Sequence, residues 1–201
     1  MKDRLLFVFF LTFIIVWSCG REAEAQEMPG YEEVRKVLVE MTPSVFDNEA
    51  TDEREARLAL VSHAIVNASR NEMDVAILLT LGRYESWFAE YVGTGCHYPK
   101  GIPKGAGDCD KGRSRSYWQM KKHACRTGWR YKRGSKEALF AFALCARRQF
   151  RGALGRCRNR HSAGYWAGGF SGYAKSTICT WRPAAERARS LLYYKSLLEE
   201  M

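Results

Sequence analysis

Cysteine content is the feature that most limits how this chain can fold. The sequence contains seven cysteines, and six of them lie between positions 96 and 179. In an oxidising compartment such a set is typical of three disulfides, for which fifteen connectivities exist. Pairing between neighbours along the chain gives the set that we expect: Cys96–Cys109, Cys125–Cys145 and Cys157–Cys179. The first pair is the best founded, because it would close a glycine-rich stretch, whereas the other two are one choice among several.

A zinc site is the alternative use of these thiols. Cys96-His97 and His123-Ala124-Cys125 bring ligand types close together. The chain has no C-x-x-C or H-x-x-x-H spacing, however, and these are the spacings that zinc sites commonly use. We therefore expect the thiols to oxidise, and we predict no metal and no other cofactor.

The first residues have the pattern of an export signal. A charged start is followed by an apolar run from Leu5 to Trp17, which is too short to span a bilayer comfortably. Cleavage before Cys19, at an imperfect lipoprotein-type site, would remove the signal, leave Cys19 for a lipid anchor and leave six cysteines to pair. A small-x-small site that ends at Ala25 is the alternative.

The chain length fits one folded domain with a substantial core, since 201 residues are too few for two large domains. We expect residues 1–19 to be the export signal, residues 20–30 to be a polar linker, and residues 31–201 to form the domain. The expected location is outside the cytoplasm, in the periplasm or the cell envelope.

Charge divides the chain into two unequal parts. Residues 26–74 contain 5 Lys and Arg against 11 Asp and Glu, whereas residues 75–201 contain 24 against 8. The second part therefore has the surface that would meet a polyanion. Basic residues among Tyr and Trp would suit nucleic acid, but export favours anionic polymers of the envelope, so we predict no nucleic-acid partner. A merely solvated basic face is the alternative.

Apolar periodicity predicts a mainly α-helical domain. Apolar residues recur at three-to-four spacing in five segments, and the third of these is apolar on almost every side, which is typical of a central helix. No segment shows a convincing strand alternation. Helices are predicted over 31–41, 51–68, 71–88, 135–154 and from Pro183 to Leu197.

A long loop is predicted from Ala89 to Arg115, where glycine, proline and charged residues replace the periodic pattern. Long ordered loops in compact domains usually carry function. The expected disulfide between Cys96 and Cys109 would staple this loop.

Glu85 stands at the end of the central apolar helix, at the mouth of this loop. Aromatic neighbours such as Tyr84 and Trp87 exclude water, so we expect the pKa of the Glu85 carboxyl to be raised, as a general acid for glycosidic cleavage requires. An ordinary surface glutamate paired with Arg83 is the alternative.

Three short motifs occur in the order found in one enzyme family. Glu85-Ser86 with Phe88 resembles an E-S-x-F motif, Ser116–Met120 stands where a G-L-[MW]-Q turn is expected, and Ala163–Gly168 stands where an A-x-Y-N-x-G helix start is expected. The chain thus resembles lysozyme-like lytic transglycosylases, a superfamily that includes goose-type lysozyme, over about residues 55–195. It departs from the pattern in a longer loop, in Ser-Tyr for Gly-Leu, and in Trp for Asn at position 166.

The resemblance implies a lysozyme-like domain, and the charge distribution leads us to expect an acidic N-terminal helical extension packed on a basic catalytic body. It implies that Glu85 is the catalytic acid and base. It also implies that Ser86 helps to orient the substrate or the carboxyl, that Gln119 lines the cleft, and that Tyr165 faces Glu85. Trp118 is a further candidate, because its indole could stack on a sugar ring.

The function that the resemblance implies is cleavage of peptidoglycan at the MurNAc–GlcNAc β-1,4 bond. In this scheme the N-acetyl group of the substrate assists and no second carboxylate is needed. Among the acids after Glu85, we expect only those of the loop, namely Glu90, Asp108 and Asp110, to be able to reach the site. Hydrolysis in the same cleft, as in a lysozyme, is one alternative. A non-catalytic basic protein that binds the envelope is another.

Overall fold

The computed structural model describes residues 28–41, 51–86, 88, 114–175 and 178–201. The predicted export signal, Cys19 and almost all of the predicted linker lie outside these residues. So does nearly all of the predicted loop, with Cys96, Cys109 and its three acids.

Within the described residues the protein is mainly α-helical, as predicted. The five predicted helices are present with small shifts at their ends, and a sixth helix begins at Tyr165. The α-helices are α1 Tyr31–Met41, α2 Thr51–Ala68, α3 Glu72–Ser86, α4 Lys136–Cys157, α5 Tyr165–Ala174 and α6 Ala184–Glu199. None of these helices is both long enough and apolar enough to cross a membrane.

Helix α3 lies at the centre of the domain. Asn71 caps its first turn, because the Asn71 side chain accepts a hydrogen bond from the backbone N–H of Asp74 at 3.0 Å. From Val75 to Gly82 every residue of α3 is buried, and α3 packs against α6, α4 and α2. An all-round apolar sequence thus gives an all-round buried helix.

Buried charges join α3 to α4. The Asp74 carboxylate contacts Arg151 Nη2 at 2.7 Å and Arg147 Nη1 at 3.4 Å, and the Asp74 side chain is only 4% exposed. Two cations therefore compensate one buried carboxylate, which would be costly to leave unpaired.

Helices α4 and α5 approach each other closely. Ser135 caps α4, as predicted, by accepting a hydrogen bond from the backbone N–H of Ala138. Gly169 on α5 lies so near α4 that a Cβ atom there would be 2.7 Å from Phe150 and Leu154. The absence of a side chain at this position therefore sets the distance between the two helices.

Two disulfides attach α4 to the rest of the domain. Cys125 is bonded to Cys145, and Cys157 is bonded to Cys179, which confirms both of these predicted pairs. The predicted pair Cys96–Cys109 falls outside the described residues. Both observed disulfides use a cysteine of α4, so this helix is covalently joined to segments before and after it.

A short hairpin was not predicted from the sequence. Strand β1, Ser114–Arg115, pairs antiparallel with β2, Met120–Lys121. Each strand has two residues, too few for an alternating pattern to be recognised. The hairpin leads into a 3₁₀ turn, Gly128–Arg130, which precedes α4.

Candidate active site

Glu85 is the penultimate residue of α3. Beyond the helix end, the backbone N–H of Phe88 donates back to Gly82 O at 3.4 Å, and Phe88 adopts a positive φ of 55°. Its ring is fully buried and lies so close to Gly82 that a Cβ atom there would be 2.2 Å away. The glycine lets Phe88 fold under α3, which fixes the turn that carries Glu85.

The charged partner of Glu85 is Arg187 on α6. Arg187 Nη1 lies 2.6 Å from Glu85 Oε1, and the two side chains are 11% and 20% exposed. The sequence suggested Arg83 as an alternative partner, and Arg83 hydrogen-bonds Tyr194. Arg187 is therefore the described cation that faces the Glu85 carboxylate.

Aromatic rings hold Arg187 in position. Its guanidinium carbon lies 4.5 Å from the ring centre of Trp181 and 5.0 Å from that of Tyr84, both within the range of cation–π attraction. The Tyr84 hydroxyl also lies 2.8 Å from Ser190 Oγ on α6. Helix α6 is thereby fixed against the last turn of α3.

A second acidic residue, Glu186 of α6, contacts the aromatic residue that precedes Glu85. The Tyr84 hydroxyl donates to Glu186 Oε1 at 3.3 Å, so Glu186 contacts the residue next to Glu85. The expectation that only acids of the loop could reach the site is therefore too narrow. Glu90, Asp108 and Asp110 lie outside the described residues.

The hairpin packs against the same end of α3 through side-chain hydrogen bonds. Ser86 Oγ donates to Tyr117 O at 2.6 Å, and Trp118 Nε1 donates to Leu78 O at 2.9 Å. Ser86 and Trp118 are fully buried. Both side chains therefore hold backbone atoms in this structure, and the buried Trp118 indole presents no face for the predicted stacking on a sugar ring. That Ser86 helps to orient the substrate or the carboxyl stays a prediction.

The turn of the hairpin has an unusual backbone. Ser116 has a φ of 69° and Gln119 a φ of 51°, and the backbone N–H of Gln119 donates to Ser116 O at 3.1 Å. Left-handed conformations at non-glycine residues are uncommon and often occur at functional sites. Gln119 Nε2 is buried without a hydrogen-bond partner among the described residues, so it is a candidate donor.

Tyr173, on the helix that Tyr165 begins, has a phenol that interacts electrostatically with Glu85. The Tyr173 hydroxyl donates to Trp118 O at 2.8 Å. Burial, and to a lesser extent the negative charge of Glu85, raises the pKa of Tyr173 well above its usual value. Tyr165 begins α5 and is 43% exposed, with its ring against Trp166. The two tyrosines are eight residues apart on one helix, or about 12 Å along its axis. No sequence motif singled out Tyr173.

The described residues therefore assemble one half-buried carboxylate, its arginine partner, a buried phenol and a strained turn at one end of α3. No cluster of three metal-ligating side chains occurs in the described ranges. No family model matches the chain, and neither curated proteins nor solved structures show a significant similarity to it.

Proposed function

We propose that the protein is an exported, lysozyme-like enzyme that cleaves peptidoglycan glycan strands at the MurNAc–GlcNAc β-1,4 bond as a lytic transglycosylase. Glu85 is the acid and base. The observation that carries the proposal is the position of its carboxylate, which is 20% exposed at the end of a buried helix. A carboxyl held between protein and water is suited to proton transfer to a bound sugar.

Convergence of the three motifs supports this proposal. Ser86 of the first motif bonds to Tyr117 of the second, and Tyr173, on the helix that the third motif begins, bonds to Trp118. Segments that are far apart in the sequence therefore meet around one carboxylate.

The backbone at Ser116 also supports it. The family pattern has glycine at this position, and the observed φ of 69° lies in the region that glycine favours. A serine here keeps the turn that a glycine would form, at some cost in strain. This strengthens the correspondence of Gln119 with the glutamine of the motif.

In the proposed mechanism Glu85 gives its proton to the glycosidic oxygen as the bond to the sugar C1 breaks. The carbonyl oxygen of the N-acetyl group bonds to C1 and leaves an oxazolinium ion. The Glu85 carboxylate then takes the proton of the sugar's 6-hydroxyl, and that oxygen displaces the N-acetyl oxygen from C1. The products are a shortened strand and a 1,6-anhydro end, and Glu85 is again protonated.

Arg187 sets a condition on this mechanism. Its guanidinium is paired with Glu85 Oε1 in the structure, whereas the first step requires a proton on the Glu85 carboxyl. A lactyl or peptide carboxylate of the substrate would compete for Arg187 and release Glu85 from the ion pair. Binding of a negatively charged substrate would thereby leave Glu85 free to carry the proton that the first step needs.

The decisive experiment is digestion of purified cell wall with the parent, Glu85→Gln and Glu186→Gln proteins, followed by mass analysis of the products. The amide in the Glu85→Gln variant cannot donate the proton, so cleavage should fall by at least ~100-fold. Glu186→Gln is the matched control on the neighbouring acid and should keep most of the activity. Products lighter by one water than reducing ends would identify the transglycosylase, and reducing ends would identify a hydrolase.

Equal cleavage by the parent and the Glu85→Gln variant would overturn the assignment of the acid. A non-catalytic, envelope-binding protein is the second candidate function, because the Arg187 contact occupies the carboxylate in the structure. Such a protein would bind the wall and release no soluble fragments from it.

A further inference from the structure

A second candidate site lies beyond the hairpin. A cavity of about 670 Å³ is lined by Lys122, His123, Arg126, Trp129 and Arg130, and we refer to it as the basic pocket. Its volume lies within the range of small-molecule sites. It shares no residue with the group around Glu85.

Among the described residues, no carboxylate pairs with the cations of the basic pocket. None of Lys122, Arg126 and Arg130 forms an ion pair with a carboxylate in the described part of the chain. From position 114 to position 135 the sequence contains no aspartate or glutamate. Like charges held together repel each other, and a bound anion would relieve that repulsion.

An indole with a fixed orientation forms part of the wall. Trp129 Nε1 donates to Met120 O at 3.1 Å, and the Arg115 guanidinium carbon lies 4.1 Å from the ring centre. The hydrogen bond and the cation–π contact fix the ring, which is half-buried. An apolar ring face beside cations suits a ligand with both a carbon-rich surface and a negative charge.

The segment that forms the basic pocket is held rigidly. The backbone N–H groups of Ala124 and Cys125 both donate to Lys121 O, at 3.0 and 3.1 Å, and the disulfide to Cys145 ties the segment to α4. A site formed before the ligand arrives loses less conformational entropy on binding.

We propose that the basic pocket binds an anionic saccharide unit, with the sugar ring against Trp129 and its oxyanion among Lys122, Arg126 and Arg130. The oxyanion can be a carboxylate or a phosphate, since both accept charge-assisted hydrogen bonds from these side chains. Single-stranded nucleic acid is less well matched, because its sites follow a groove with several large aromatic rings for successive bases, whereas the described lining of this pocket contains one indole and one imidazole.

Binding by the full-length protein to two matched pairs of sugars tests the proposal by calorimetry. N-acetylmuramic acid against its methyl ester tests the carboxylate, and N-acetylglucosamine 6-phosphate against N-acetylglucosamine tests the phosphate. The charged member of at least one pair should bind about tenfold more tightly, as expected for two charge-assisted contacts. The pair that shows the difference identifies the source of the oxyanion.

Two double variants with the same change in net charge distinguish binding in the basic pocket from general attraction by the positive charge of the protein. Arg126→Gln with Arg130→Gln removes two cations of the pocket, and both residues are exposed, so folding should not be affected. Lys132→Gln with Lys175→Gln removes two exposed cations outside its lining. The first double variant should lose about tenfold in affinity for the charged sugar, and the second should stay within about twofold.

Three results would overturn the proposal: charged and neutral sugars that bind equally, the same loss in both double variants, or tighter binding of a short oligonucleotide that displaces the sugar. All of these measurements can be made on the Glu85→Gln variant. Sugar binding is therefore tested independently of whether Glu85 cleaves anything.

Discussion

The residues around the Glu85–Arg187 pair and the basic pocket differ in how their charges are balanced. At Glu85 one carboxylate and one guanidinium neutralise each other in a half-buried site, and rings hold the guanidinium in place. In the basic pocket Lys122, Arg126 and Arg130 face an open cavity, with no acid near them in the sequence. The first arrangement is suited to controlling a proton, and the second to attracting an anion from solution.

Two tryptophans give the largest expected difference between the regions. Trp118 is fully buried under α3, so Trp118→Ala should lower the free energy of unfolding by about 3–5 kcal/mol through the cavity that it leaves. Trp129 is half-buried at the basic pocket, and Trp129→Ala should cost about 1–2 kcal/mol. Urea unfolding curves measure both values. Equal losses would show that the two regions do not differ in packing as described.

Substitution of two arginines tests whether paired and unpaired charges contribute differently to stability. Arg187→Met would leave Glu85 without its cation in a site that is 20% exposed, so the free energy of unfolding should fall by about 1–2 kcal/mol. Arg126→Gln should change it by less than about 0.5 kcal/mol, because Arg126 is exposed and unpaired with any described carboxylate. If removal of Arg126 is the more damaging change, the charge of the pocket is structural.

The smallest expected effect concerns the hairpin turn. Ser116→Gly would place a residue without a Cβ atom at a φ of 69°, so stability should rise by up to about 1 kcal/mol as strain is relieved. Gly155→Ser, in the exposed part of α4, is a control at a helical φ. Thermal melting distinguishes the outcomes. A loss of stability in Ser116→Gly would mean that the serine side chain, not the backbone, determines the turn.

The helices could be predicted from sequence because their signals are local. Apolar spacing and the caps at Asn71 and Ser135 lie within the segments that they specify. Two of the predicted disulfides were also found, although the sequence alone left their connectivity open.

The surroundings of Glu85 could not be predicted in the same way, because its contacts are distant in the sequence. Arg187 follows Glu85 by 102 positions, and the sequence pointed to Arg83 instead. Tyr173 bonds to Trp118 across 55 positions, whereas the motif drew attention to Tyr165. Single motifs identified the acid as a candidate, but only tertiary packing determines which cation and which phenol lie beside it.

The two disulfides that share α4 make the stability of the folded protein depend on oxidation. Cross-links that close loops of 20 and 22 residues contribute roughly 3 kcal/mol each in the chain-entropy model. Their sum is comparable to the whole stability of many domains, about 5–15 kcal/mol. Under reducing conditions the chain would lack both, so the packing of α4 against the segment of Trp129 and against the residues around Cys179 would be complete only after oxidation.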